Sequence, residues 1–329
     1  MTAAAGGEVS VTGRRAWRRG GHGETPMVPD ATPRSYYGQP VLKQPVWKPE
    51  VGLYLFSGGL AAGAGMLTAA ARRSGNDVLA RRASMIALAG AAVSPVLLIT
   101  DLGRPARFHH MLRVLKVTSP MSLGTWVLSA FGSASGVAAG CEVLGVLPRL
   151  RGRAELAMGA LGPALATYTA VLLADTAVPV WHESRRELPF VFAAGAATSA
   201  GAAATMLTPT SASAPARRLC VGGAAAELAA TELMRRRLGE QGRPYREGEP
   251  GRFARLARWL TVSGATVVAV TGRRRLPAAL GSAAVLAGAM CTRWSVFRAG
   301  FASAQDPDYT VAPQRRRLDS GNAGSALPG

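Results

Sequence analysis

Apolar residues in this chain are gathered into long blocks, and nearly all the arginines stand between the blocks rather than among them. The first clear block, 51–71, runs 21 residues without a charge and is closed by Arg72 and Arg73. A bilayer needs about 20 such residues for one helical crossing. Further blocks at 83–100, 122–147, 156–180 and 188–207 are of similar length, the third interrupted by Glu142 and the fourth by Asp175. Three more, at 219–234, 256–271 and 276–294, are shorter or more charged, and one of them could lie in the interface instead of crossing. The pattern predicts an all-α polytopic membrane protein of eight transmembrane helices in two four-helix bundles, 51–180 and 188–294.

Outside the blocks, residues 1–35 are basic and rich in Gly and Pro and predict a disordered tail without the apolar run of a signal peptide. Residues 36–50, with their prolines and aromatics, predict a strap lying on the surface, and 306–329 predict a loose C-terminal tail.

Of the 329 residues 48% are hydrophobic and the formal net charge is +19. In a multi-pass protein such charge has a simple cause: arginines in short loops anchor helices at head groups and set topology. No basic groove with interleaved aromatics points to nucleic acid. With eight spans both termini share a side, which carries 26 Lys and Arg against 12 on the other, and the excess predicts cytoplasmic termini in a cell membrane.

Cys141, Cys220 and Cys291 lie far apart in apolar blocks, so no iron-sulfur cluster is expected in this chain. None of the four histidines, His22, His109, His110 and His182, is central to a span, which argues against haem. Small residues such as Gly58, Gly59, Gly63 and Gly65 crowd the first helix, as expected where helices pack closely in lipid.

Ionisable groups in a bilayer are costly enough to be functional candidates. Because helix direction alternates, Tyr54, Asp101, Trp126 and Asp175 all fall near the face that carries the termini. Glu227 and Glu232 of the sixth helix lie toward it too, whereas Glu142 lies toward the other face. Tyr168, Asp175 and His182 recur at intervals of seven, which would put a phenol, a carboxylate and an imidazole on one helical stripe. Pro179 bends or ends that helix before His182. In the loop after the second helix Asp101 and Arg104 could pair.

Several stretches resemble one family. Tyr36-Tyr37-Gly38 through Trp47, followed by Tyr54 to Gly63, looks like the entry and first helix of NrfD-type polysulfide reductase membrane subunits. Asp101 to Phe108 with Met111 and Leu112, Ser119 to Trp126, and Tyr168 to Trp181 are similar to further motifs of that family. The likeness covers about residues 36–185. It implies an eight-helix subunit that exchanges electrons and protons with menaquinone or ubiquinone in its first four helices. It also implies partnership with an iron-sulfur subunit and a molybdopterin-containing catalytic subunit. Where some members carry a first-helix histidine this chain has Tyr54, so the proton acceptor falls to Asp175, Asp101 or His182. Tyr168 matches the fourth-helix tyrosine. The set expected to bind quinone or exchange protons is therefore Tyr54, Asp101, Arg104, Trp126, Tyr168, Asp175 and His182. Two other readings stand beside it: an ion- or proton-transporting protein using Glu227 and Glu232, or a passive anchor for a soluble enzyme.

Overall fold

The computed structural model describes residues 42–43, 45–102 and 104–311; the expected basic tail, residues 36–41 and 44 of the strap and residues 312–329 lie outside them. Among the described residues the chain is helical and has no strand. The helices are α1 (Pro49–Arg73), α2 (Asp77–Asp101), α3 (Pro120–Leu144), α4 (Pro148–Ala174), the five-residue α5 (Pro179–Glu183), α6 (Leu188–Leu207), α7 (Ala214–Leu238), α8 (Gly248–Thr271) and α9 (Arg275–Gln305).

Starts and stops follow local chemistry. Proline occupies the first turn of α1, α3, α4, α5, α6 and α7, where its missing N–H costs nothing. Asn76 accepts the Leu79 N–H at 3.1 Å and opens α2. Gly145, left-handed at φ 67°, ends α3 three residues before the apolar run does. Hydropathy also under-reads several helices: α4 begins at Pro148 rather than 156, α8 at Gly248 rather than 256, and α9 runs on to Gln305. The extra turns of α9 carry one arginine, Arg298, which is paired with Glu249, so charge there ends the apolar run without ending the helix.

Seven of these helices are long and apolar enough to cross a membrane: α1, α2, α3, α4, α6, α8 and α9. The expected eighth, α7, is as long as α1, but its arginines together with Glu227 and Glu232 keep it out of that set. The multi-pass helical architecture stands, and the number of candidate spans by length and composition among the described residues is seven.

Helices α1 to α4 touch in a ring, each against the next and α4 back against α1. Helices α6 to α9 form a second ring in the same way, and the two meet chiefly along α1 and α6. Burial reports the same arrangement: within their apolar windows 78% of α1 and 67% of α6 is buried, against 28–39% of the other five. Helix α1 and helix α6 form the protein interior, while the others turn one side outward, as lipid-facing helices must. Close approach at the seam depends on small residues. A Cβ on Gly63 would lie 2.3 Å from the Ala196 carbonyl oxygen of α6.

At the end of the bundle away from the chain's entry, Arg72 binds three carboxylates. It donates to Glu155 at 2.8 Å, Glu142 at 2.8 Å and Asp77 at 2.7 Å, and Arg151 also donates to Glu142 at 2.7 Å. The Arg72 side chain is 18% exposed and Glu155 only 2%, so this network joins α1, α2, α3 and α4 in a largely dry setting.

Candidate functional site

The opposite end of the first ring holds most of the residues singled out from the sequence. Tyr54, one turn into α1, is fully buried, and its hydroxyl has no hydrogen-bond partner among the described residues. Its ring lies 6.5 Å from that of Tyr168 on α4, tilted by 57°. Tyr168 in turn lies over Gly124 of α3, where a Cβ would come within 2.0 Å of its ring. Only glycine at 124 leaves room for that ring. Deeper on the same side, the hydroxyls of Ser57 and Ser94 are 2.9 Å apart, and Ser94 donates to the Gly90 carbonyl at 2.7 Å. Two phenols and two hydroxyls thus share the space between α1, α2, α3 and α4.

Asp101 has a positioning part. Its carboxylate accepts the Lys48 backbone N–H at 2.8 Å, tying the end of α2 to the start of α1 one turn before Tyr54. Lys48 Nζ also donates to the Thr100 carbonyl at 3.3 Å. Arg104 is exposed at the start of a 3-10 segment, Pro105–Leu112, and is not among the partners of Asp101. Backbone N–H groups at the head of α1 lack intrahelical acceptors, and the carboxylate reaches one of these neighbouring donors before it could reach a solvated guanidinium.

The stripe of Tyr168, Asp175 and His182 is not continuous. Helix α4 ends at Ala174, Asp175 caps it and is exposed, and Pro179 starts α5, which carries His182. The break has a local cause, since proline cannot continue the hydrogen-bond ladder of α4. His182 nonetheless folds back, with Nδ1 3.3 Å from the Ala174 carbonyl oxygen. It lines a surface cleft of about 360 Å³ together with Thr176, Glu183, Gln241 and Tyr309. Beside this cleft Trp47 stacks on Trp181 at 5.5 Å, and the Trp181 indole donates to the Val296 carbonyl at 2.7 Å. These contacts pin the chain's entry onto α5 and α9. Trp126 is 38% exposed on the outward side of α3, away from the two tyrosines.

The structure therefore brings Tyr54 and Tyr168 together, and sets His182 against the end of α4 that Asp175 caps. Arg104 and Trp126 stand apart. No group of three potential metal ligands occurs among the described residues.

One residue escaped the sequence reading, and with it the juxtaposition it makes with Glu227. Arg293, in the middle of α9, is buried, donates through Nη2 to the Phe192 carbonyl at 2.8 Å and lies 4.0 Å over the Phe192 ring. It faces Glu227 of α7, which is also buried, whereas Glu232 is 44% exposed and bound to Arg236. A signal was present: Arg293 is the first charge after the uninterrupted stretch 276–292. Counting it among terminal charges concealed it.

Comparison with known proteins bears on the first ring. No curated protein matches the sequence. The family model for polysulphide reductase NrfD matches residues 40–218, more than half of the chain, and its range contains all seven site candidates as well as α1 to α6. That family consists of multi-pass membrane subunits associated with quinone-reactive oxidoreductases. On this match, together with its helical membrane fold, the chain belongs to the polysulphide reductase NrfD family.

Proposed function

We propose that this chain is the quinone-reactive membrane subunit of an oxidoreductase complex, with its quinone site at the Tyr54–Tyr168 end of the first ring. The observation that carries the reading is the Tyr54 phenol: fully buried, without an acceptor among the described residues, and beside a second phenol. A buried donor without an acceptor costs about 1–3 kcal/mol. A quinone carbonyl oxygen is an acceptor of the right kind, and the apolar walls of α1 and α4 suit the rest of such a molecule. Menaquinone or ubiquinone would supply a two-electron, two-proton carrier soluble in the membrane.

The chain's own groups have separable tasks in this reading. Tyr54 and Tyr168 donate hydrogen bonds and orient the head group. Asp101 holds the start of α1, and hence Tyr54, at its depth. Asp175 and His182, exposed on the same face, exchange protons with water, which phenols do not do readily at neutral pH. Electrons would arrive from, or leave to, an iron-sulfur subunit docked on this face, itself served by a molybdopterin-containing subunit. With the termini in the cytoplasm, the face is cytoplasmic.

Tyr54→Phe and Tyr168→Phe test the reading in the assembled complex. Each removes one hydroxyl and keeps the ring. Loss of one hydrogen bond of about 1.5 kcal/mol predicts an approximately tenfold rise in the KM for quinol, with subunit assembly and dye-linked activity of the partner unchanged. Wild-type quinol kinetics in both variants would move the site elsewhere.

A further inference from the structure

A second polar feature lies in the other ring, centred on helices beyond the part of the chain matched to the family. Between α7, α8 and α9 there is a cavity of about 160 Å³ with Glu227 in its wall. At about 30 Å³ per molecule that is room for roughly five waters. Its outer part is bordered by Arg235, Glu232 and Arg258, charged side chains toward the Tyr54 face, and Thr231, Thr261 and Ser295 stand in an otherwise mostly apolar lining that includes Leu228, Val262 and Val296. On the far side of Glu227 a dry cluster including Ala202, Cys220, Ala224, Val268 and Val285 closes the ring. A Cβ on Gly264 of α8 would lie 2.6 Å from the Gly281 carbonyl oxygen of α9, so the backbones there leave no passage. The charged border thus lies toward the Tyr54 face, and the dry cluster lies on the other side of Glu227.

The carboxylate itself is not held as a structural ion pair would hold it. Neither Glu227 oxygen has a hydrogen-bond partner among the described residues, and Arg293 Nη1 has none. Thr198 and Thr292 stand beside the carboxylate, but their hydroxyls donate to the Ala194 carbonyl at 2.8 Å and the Gly288 carbonyl at 3.2 Å. A hydroxyl has one proton to give, and both are already used. Arg293 and Glu227 converge on Gly195, where a Cβ would lie 2.7 Å from Arg293 Nη2 and 3.1 Å from Glu227 Oε1. The guanidinium also reaches the seam with the first ring, 3.6 Å from a Cβ placed on Gly59.

From this geometry we infer that Glu227 is a proton-binding site of the second ring, loaded and unloaded by water from the Tyr54 face only. A proton delivered along the cavity forms the O–H bond of a carboxylic acid at Glu227 and leaves by the same route. The groups facing the site are Arg293 from α9, Thr198 from α6, Arg258 from α8, Tyr245 from the Gly239–Tyr245 turn, and Glu232 and Arg235 further along α7. Among the described residues Arg293 is the cation next to the carboxylate. Such a site stores a proton beside the seam between the rings. It does not conduct one across the membrane, because the dry cluster blocks the other side.

The test is independent of quinone. Infrared spectra of the full-length chain in lipid nanodiscs should contain a C=O stretch from a protonated carboxyl that grows as pH falls and shifts on transfer to D2O. Glu227→Gln should remove that band. Ala257→Leu, which fills the cavity without touching the carboxylate, should retain the band and slow its deuterium shift, whereas Gly222→Ala, in open space on α7, should leave both unchanged. A spectrum in which Glu227→Gln removes no carboxyl band, or in which the band ignores D2O, overturns the assignment. Should Glu227→Gln fail to fold, an unaltered exchange rate in Ala257→Leu overturns it equally.

Discussion

An Arg72→Met variant is expected to lose about 3–5 kcal/mol of stability, seen as a fall of several degrees or more in the melting temperature of the purified chain. Arg72 donates to Glu155, Glu142 and Asp77, and of these Glu155 is 2% exposed and Glu142 11%. Methionine fills similar space but leaves two poorly solvated carboxylates with one remaining cation between them, Arg151 on Glu142. Removing one member of a buried ionic cluster is costly because the partners stay charged and dry. A triple variant that adds Glu155→Gln and Glu142→Gln should recover part of the loss, since the uncompensated charges go with the cation. A melting temperature for Arg72→Met equal to that of the wild type would mean that the cluster contributes nothing net. The four helices of the first ring would then be held by packing and by their other hydrogen bonds, such as Lys48–Asp101 and Ser57–Ser94.

Gly63→Val should be comparably severe, for a steric reason. The Cβ would meet the Ala196 carbonyl oxygen at 2.3 Å and Ala200 Cβ at 2.8 Å, so the obstacle is the backbone of α6 and not a side chain that could turn away. Overpacking of this kind costs about 1–3 kcal/mol where side chains can yield, and the upper end applies here. Because α1 meets α6 at this point, the expected outcome is loss of the joint between the rings, read as a lower melting temperature and faster proteolysis of the second ring. Gly136→Ala on α3 is the matching control. Nothing lies within 4 Å of its Cβ position, and the change should be neutral or slightly stabilising. Equal damage from both substitutions would show that glycine acts through helix flexibility instead of close approach.

These glycines show where sequence reading stops. Helix α1 and helix α3 are both rich in small residues, and nothing in their spacing distinguishes the two. In the fold, Gly63 meets a neighbouring backbone while Gly132, Gly136 and Gly140 meet open space. Partner choice decides that, and partner choice is a property of the assembled rings.

The site divides in the same way. Alternation of helix direction was enough to expect Tyr54, Asp101, Trp126 and Asp175 near one face, and the motifs around Tyr54 and Tyr168 pointed to the family. Distances were not available from that. Tyr54 and Tyr168 meet only because Gly124 makes room on a third helix. Asp101 turns to the Lys48 backbone, and Trp126 turns outward.

Long charge-free blocks determined by themselves that this is a multi-pass helical protein, since only helices satisfy their backbone groups within one segment in lipid. The tertiary structure decided which helices are central, what Arg72 binds, and that Arg293 faces Glu227. A charge at the end of an apolar run looks alike whether it meets water, a head group or a buried carboxylate. Only the helices packed beside it determine which of these it meets.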